Sequence, residues 1–458
     1  MNIDQKIFKA YDIRGIYPEQ LNEEAAYAIG RGYATLLLKR FPDTKLKVAV
    51  GRDMRLSSPA LQAKIIQGLL DTGIDVDDIG LVSTPAFYFA TSFYGYKNGV
   101  QITASHNPKQ WNGVKMVIND VMVNGDNGIN EVRDLIVNDQ LASLAASKGQ
   151  LGKRENTTED MVREQISNID LGKIKALKIV IDPANGSGAL DMQELFKHLP
   201  CEMVQMNFEV DGTFPAHEAD PMKPENIKFL CDRVVAEKAD LGIGIDGDAD
   251  RYFFVDETGK NVPQGILRGI MAQIELVEHP GATVAYDIRP GRITLDMINA
   301  YGGKPLLTRV GHSYIKETMV KAGAIFGGES SGHYCYKFPY GTFEAPVVEV
   351  TKFLKFISEQ NKQVSEIIKP YDIYFHSGEI NMELHSREEA LAKIEAVKAM
   401  YADGKINMMD GLSVEYPDFW FNLRPSNTEP LLRLAVEGVS KEIVEQKVEE
   451  MKKVLLGK

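Results

Sequence analysis

Short aliphatic runs alternate with amphipathic stretches along most of this chain, and that alternation predicts strands separated by helices. Leu46 to Val50 is continuous enough for a buried strand, and Gly51 closes it. Before it, Ile29, Tyr33, Leu36 and Leu37 recur at helical spacing, with Asn22 placed to cap that helix. After it, Pro59 opens a second helix whose Leu61, Ile65 and Leu69 share a face; proline suits a first turn, where an N–H has no partner anyway. The rhythm returns at Lys178 to Asp182, Asp240 to Asp246 and Thr283 to Asp287, each followed by turn residues. Near the end it changes. Phe419 to Leu423 and Leu431 to Val436 flank a tight loop, and Val444, Val448, Met451 and Leu455 form the apolar stripe of a last helix. The pattern predicts α/β layers followed by a smaller α+β unit.

Three seams divide the chain. Ala145 to Glu155 is polar and contains glycine, so a linker is expected there; Asp256 to Lys260 reads as a turn between units; and the pattern shifts again around Lys369 to Tyr371. The expected domains are 1–150, 151–256, 257–369 and 370–458. A length of 458 residues has room for them at roughly 100–150 residues each.

Composition narrows the function classes. With 44% hydrophobic and 25% charged residues the chain is an ordinary globular protein with a substantial core. A net charge of −12 argues against broad nucleic-acid affinity, and an anionic ligand would need a local cluster of Arg and Lys to overcome that background. Cys201, Cys231 and Cys335 lie far apart with no CxxC pair, which argues against a disulfide framework and a structural zinc site. No stretch approaches the ~20 apolar residues of a membrane span, and the first residues lead into no signal-peptide core. A cytoplasmic location without membrane attachment is expected.

Four segments carry candidate chemistry. Thr103-Ala104-Ser105-His106-Asn107-Pro108 ends the apolar run Gly99 to Ile102, and a strand delivering a hydroxyl into a tight turn presents a nucleophile at the mouth of a sheet. Asp246-Gly247-Asp248-Ala249-Asp250-Arg251 places three carboxylates at alternate positions, able to converge on one hard cation. A calcium hand is the competing assignment, with Asp246, Asp248, Asp250 and Glu257 in suitable positions. Against it, Arg251 stands where the loop needs glycine, and Tyr252 to Val255 reads as a strand. Arg424-Pro425-Ser426-Asn427-Thr428-Glu429-Pro430, with Arg433 beyond, offers guanidinium, hydroxyl and amide donors for a phosphate. Gly327-Gly328-Glu329-Ser330-Ser331-Gly332-His333 is a glycine-framed polar loop suited to sugar hydroxyls.

Together with Ala10-Tyr11-Asp12-Ile13-Arg14-Gly15, these segments resemble the α-D-phosphohexomutase superfamily, and within it the bacterial phosphomannomutase/phosphoglucomutase group, across essentially the whole chain. The resemblance implies four domains around a central cleft, three with similar α/β sandwich cores and a smaller C-terminal α+β domain. It implies a phosphoryl group on Ser105, Mg2+ held by Asp246, Asp248, Asp250 and the phosphoserine, and a hexose 1,6-bisphosphate that is both intermediate and activator. His106 and Arg251 join Ser105 in the catalytic set, and the acid–base roles map onto Arg14, Lys115 and His312. Tyr11, Arg289, Glu329, Ser331 and His333 would contact the sugar phosphate; Arg424, Ser426, Asn427, Thr428 and Arg433 would hold its non-reacting phosphate. Small sugar phosphates are the expected partners, with the chain a monomer or weak homodimer.

Two positions depart from the family pattern. Ser330 stands where mannose-type members often have Met and glucose-specific ones Glu, and Arg289 where Lys is frequent. The implied reaction interconverts hexose 6-phosphate and hexose 1-phosphate, of mannose first and of glucose as a second hexose. Phosphoglucosamine mutase is the alternative within the class; a sugar-phosphate sensor without catalysis, or a metal-dependent phosphatase, lies outside it.

Overall fold

The computed structural model describes residues 3–289, 291–384, 386–425 and 431–456. The chain divides into two compact units: residues up to Val262 together with Gly332–Ser365, and Pro263–Ser331 together with Glu366 onward.

The first unit is built on two mixed sheets. In the larger, the parallel strands Lys47–Arg52, Asp75–Leu81 and Gly99–Ile102 form the centre, and Trp111–Ile118 and Ile13–Ile16 add antiparallel strands on one side. The capping argument holds: helix Glu23–Arg40 begins where Asn22 Oδ1 accepts from Ala25 N at 3.0 Å, and its Ile29, Tyr33, Leu36 and Leu37 are buried. Pro59 lies in the first turn of helix Ser58–Asp71, which buries Leu61, Ile65 and Leu69 against the same core. The stretch expected as a linker behaves differently. Its Leu151–Lys153 forms a short strand parallel to Asp75–Leu81, and Ala145 N and Gly149 N donate to Asp71 O and Leu70 O, so this segment is stitched to the first sheet. Polar composition is compatible with a two-sided exposed edge strand, and only the pairing partner decides.

The second sheet orders Glu202–Gln205, Lys178–Asp182, Leu241–Ile245 and Tyr252–Asp256, the last antiparallel to its neighbour. Leu241–Ile245 is buried at every position, as a central strand covered on both faces must be. The hairpin Tyr334–Phe338 with Gly341–Glu344 completes this unit's strands.

In the second unit, Thr283–Asp287 pairs in parallel with Lys304–Thr308 and Phe326–Gly328. A separate antiparallel sheet runs Phe375–Glu383, Leu431–Gly438, Phe419–Pro425, Leu412–Glu415 and Lys405–Asn407. Phe421, Leu423, Leu432 and Leu434 share its core with Val444, Val448, Met451 and Leu455 of helix Lys441–Leu456, the predicted stripe. No helix among the described residues is long and apolar enough to cross a membrane.

Candidate active site

Within the first unit, two loops that leave the carboxyl ends of strands meet, the position where α/β sheets bind ligands. Ser105 follows strand Gly99–Ile102 and adopts φ 51°, left-handed backbone that a non-glycine residue takes only under constraint. The loop of carboxylates follows Leu241–Ile245, closing the hairpin whose register pairs Ile245 with Tyr252. The two loops touch directly: a Cβ on Gly247 would lie 2.6 Å from the Ser105 carbonyl oxygen, so only glycine permits the approach.

Ser105 Oγ lies 3.1 Å from Asp246 Oδ2 and 3.1 Å from His106 Nδ1. Asp246, Asp248 and Asp250 are all buried and each offers an oxygen within 4.8 Å of the others. Burial, with the two neighbouring carboxylates, pushes Asp246 up to about 7, opposed by Arg251, whose Nε donates to Asp246 Oδ2 at 2.8 Å. Asp250 is held well below the usual carboxylate range: burial raises it, but Lys115, His333 and Arg251 prevail. Lys115 is itself buried, with Nζ 2.7 Å from both Asp248 Oδ2 and Asp250 Oδ2; despite desolvation, these two anions hold it above the ordinary amine range, as an ammonium. His106 is pushed well below its ordinary value by burial and by Arg251 and Arg14, and is therefore neutral. Arg14 donates from Nε to Asp12 Oδ2 at 2.7 Å and from Nη1 to Ala104 O at 3.3 Å and to Asn107 Oδ1. His333 Nε2 stands 3.4 Å from Asp250 Oδ1, and Tyr11 is half-buried just ahead of Ile13–Ile16.

The donor set fits a hard divalent cation. It is all oxygen, it gathers three carboxylates, and Asp248 Oδ1 is buried with no hydrogen-bond partner. A carboxylate oxygen left unmet in a dry site is costly unless a cation meets it.

The second unit gathers the other expected residues into two groups. Arg289 donates from Nη2 to Ser331 Oγ at 3.2 Å and pairs with Glu329 at 3.4 Å; Glu329 Oε1 accepts from Gly311 N at 2.7 Å, next to His312, the buried first residue of helix His312–Ala322. Arg424 and Arg433 meet at Glu379, at 2.8 and 3.3 Å. Ser426, Asn427 and Thr428 lie outside the described residues.

Several residues of these networks escaped the sequence. Arg55 and Arg268 are the two largest fully buried side chains. Arg268 donates to Asp287 Oδ1, Gly328 O and Ser330 Oγ, and Asp287 Oδ2 in turn accepts from Arg289 Nε. Ser330 Oγ also donates to Asp287 at 3.1 Å, so this residue at the departing position is tied into the buried network. Thr84 Oγ1 donates to Asp248 Oδ2 at 2.6 Å from the first turn of helix Thr84–Phe93. One signal was present: Arg268 interrupts the apolar run Ile266 to Met271.

Four family models match the chain in order. They are the phosphoglucomutase/phosphomannomutase alpha/beta/alpha domain I over residues 5–142, domain II over 159–259, domain III over 267–374, and the C-terminal domain over 379–454. The chain belongs to the phosphoglucomutase/phosphomannomutase family. A phosphomannomutase/phosphoglucomutase of Pseudomonas aeruginosa is 36% identical over 445 residues, 96% of this chain and 93% of that protein. A phosphomannomutase of Methanocaldococcus jannaschii is 37% identical over 454 residues, 99% of this chain and 98% of the relative. The crystal structure of a phosphoglucomutase/phosphomannomutase family protein from Burkholderia thailandensis matches with a TM-score of 0.89 at 30% identity, covering 99% of this chain and 98% of that one. The expected family and its succession of four domains with α/β sheets and a distinct C-terminal unit therefore hold for this mutase-family chain.

Proposed function

We propose that this chain interconverts hexose 6-phosphate and hexose 1-phosphate of mannose, and of glucose, through a phosphoserine at Ser105 and a hexose 1,6-bisphosphate. The observation that carries the proposal is the serine hydroxyl 3.1 Å from Asp246 inside a buried cluster of three carboxylates lined by Arg14, Lys115 and Arg251. A hydroxyl oxygen of the sugar phosphate attacks phosphorus on Ser105, and the bond from phosphorus to Ser105 Oγ breaks. The released Oγ takes up the proton that the attacking hydroxyl gives up. The bisphosphate then offers its other phosphate to the regenerated Ser105: Oγ attacks that phosphorus, and the bond from phosphorus to the sugar oxygen breaks. The released sugar oxygen takes up the proton that Oγ gives up, for which Asp246 Oδ2 and the neutral His106 Nδ1 are the acceptors in reach of Oγ.

Lys115 and Arg14 act as donors in this scheme, because surrounding carboxylates hold both in the charged form. His312 is the remaining acid–base candidate. Loose phosphoryl transfer spreads charge over three oxygens, so positioned cations supply most of the catalysis. Asp246, Asp248 and Asp250 would hold Mg2+ with Ser105. When bound it supplies Lewis-acid neutralisation of the transferring group. Tyr11, Arg289, Glu329, Ser331 and His333 bind the sugar phosphate, and Arg424, Ser426, Asn427, Thr428 and Arg433 hold the phosphate that is not reacting. We further propose four domains close to the expected bounds, with Leu151–Lys153 belonging to the first and the later boundaries at 256 and 369, in a cytoplasmic monomer or weak homodimer.

The test pairs a substrate panel with one variant. Mannose, glucose and glucosamine 1-phosphates are assayed with glucose 1,6-bisphosphate present, and intact mass reads the phosphate on Ser105. Ser105→Ala is expected to carry no phosphate and to lose turnover. Product formation by Ser105→Ala at the wild-type rate rules the mechanism out, and release of inorganic phosphate faster than isomer formation supports a phosphatase instead.

A further inference from the structure

The loop that carries Ser105 turns its carbonyl oxygens inward, and one side chain meets four of them. Arg55 Nη2 donates to Ser105 O at 2.8 Å and to Asn107 O at 2.6 Å; Nη1 donates to Pro108 O at 2.8 Å and to Trp111 O at 3.0 Å. Its Nε donates to Asp53 Oδ2 at 3.1 Å, which uses all five donors of the guanidinium. Asp53 is locked in turn by Ser58 Oγ at 2.5 Å and by Arg55 N at 3.0 Å. Arg55 and Asp53 have no exposed side-chain surface. The Phe214 ring lies 5.1 Å from the guanidinium carbon, and Gly212 lets its own loop approach, since a Cβ there would sit 2.6 Å from Arg55 Cα.

We propose that Arg55 is the positioning residue of the phosphoryl-accepting serine: its fork holds Ser105 in left-handed backbone and so aims Oγ at Asp246. Arg55 touches no side-chain atom of Ser105, and its donors go to the backbone that sets where the hydroxyl points. Local contacts within the loop are few: Ser105 N donates to Thr103 Oγ1 at 3.0 Å and Asn107 N to Ala104 O at 3.0 Å. Arg14 grips the Ala104 carbonyl and the Asn107 side chain, while Arg55 grips the carbonyls of Ser105 and Asn107, so two guanidiniums clamp the turn. Lysine cannot substitute, because a single ammonium with three donors does not reach four carbonyls. This inference rests on Ser105 being the phosphoryl acceptor.

Full-length Arg55→Lys and Arg55→Ala decide it, with melting temperature, kcat, KM for the hexose 1-phosphate and Ser105 phosphate by intact mass as readouts. A displaced nucleophile is expected to lower kcat about 100-fold while KM stays within about threefold, since the proposed sugar contacts come from other segments. In Arg55→Ala, added guanidinium is expected to restore kcat roughly tenfold, which a general loss of stability would not allow. Should both variants fail to melt cooperatively, Asp53→Asn keeps the guanidinium but loosens its anchor and is expected to show the same kcat-only loss. Wild-type kcat in any folded variant of Arg55, or in Asp53→Asn where those do not fold, overturns the proposal, as does a rise in KM that accounts for the whole defect. A wild-type enzyme that takes no phosphate on Ser105 removes the Ser105 assignment and this inference together. Arg55→Lys with full turnover on a phosphorylated enzyme removes Arg55 alone.

Discussion

Asp191 is a buried acid with no function in the scheme above, and replacing it with Asn isolates what an unpaired carboxyl costs. It lies on helix Gly188–Leu195, has no exposed surface, and neither of its oxygens has a hydrogen-bond partner. Burial pushes it up to about 7 from an ordinary 3.8, against the opposing pull of the nearby Ser83 hydroxyl. Glu349 is likewise pushed up by burial, and burial together with both acids raises the Tyr252 hydroxyl. The unfolded chain gives up the Asp191 proton near pH 3.8 and the folded chain only near pH 7, so folding takes up a proton in between. Stability from this group is complete below the lower value and is lost as pH rises toward the upper one. At ~1.4 kcal/mol per unit the loss comes to about 4 kcal/mol, of which roughly 3 kcal/mol falls between pH 5 and 8. Asp191→Asn cannot ionise, so its stability relative to wild type should climb by about that amount across this window. Any constant offset reflects the amide hydrogens left without a partner, worth about 1–3 kcal/mol. Scanning calorimetry of both proteins from pH 5 to 8 measures the difference, following the transition that contains this helix. A difference that stays flat with pH refutes the assignment of a raised, unpaired carboxyl.

Two further substitutions probe the site. Asp248→Asn removes the charge behind the unpartnered Oδ1, and titration calorimetry with Mg2+ should show affinity weakened at least about tenfold; unchanged affinity excludes Asp248 as a ligand. Arg268→Gln takes from Asp287 its fully buried guanidinium and leaves it paired with Arg289. It should lower stability by about 1–3 kcal/mol and raise KM for the sugar phosphate by shifting Arg289, and an unchanged KM in a folded protein breaks that link.

The predicted strands Lys178–Asp182 and Thr283–Asp287 and the stripe of helix Lys441–Leu456 all lie where hydrophobic spacing put them. These elements are local: an aliphatic run or a period of 3.6 residues announces itself within one window of sequence. The Ser105 and Asp246 loops were legible for a related reason, since a reactive residue at a strand end is a short-range pattern. Leu151–Lys153 was not legible, because an edge strand this short is defined by its partner and not by its own residues.

Asp246 and Asp248 lie far along the chain from Ser105 and Lys115, so their convergence on one buried cluster is a tertiary fact. The same holds for Arg55, an unremarkable surface charge by composition, whose five donors are matched only when the turn after Ile102 folds across it. Spacing determines which segments are helix, strand or reactive loop, because those choices are settled by nearest neighbours. Which charges end up buried, paired and shifted in pKa is settled by packing between distant segments, because desolvation and Coulomb energy depend on what surrounds a group in space.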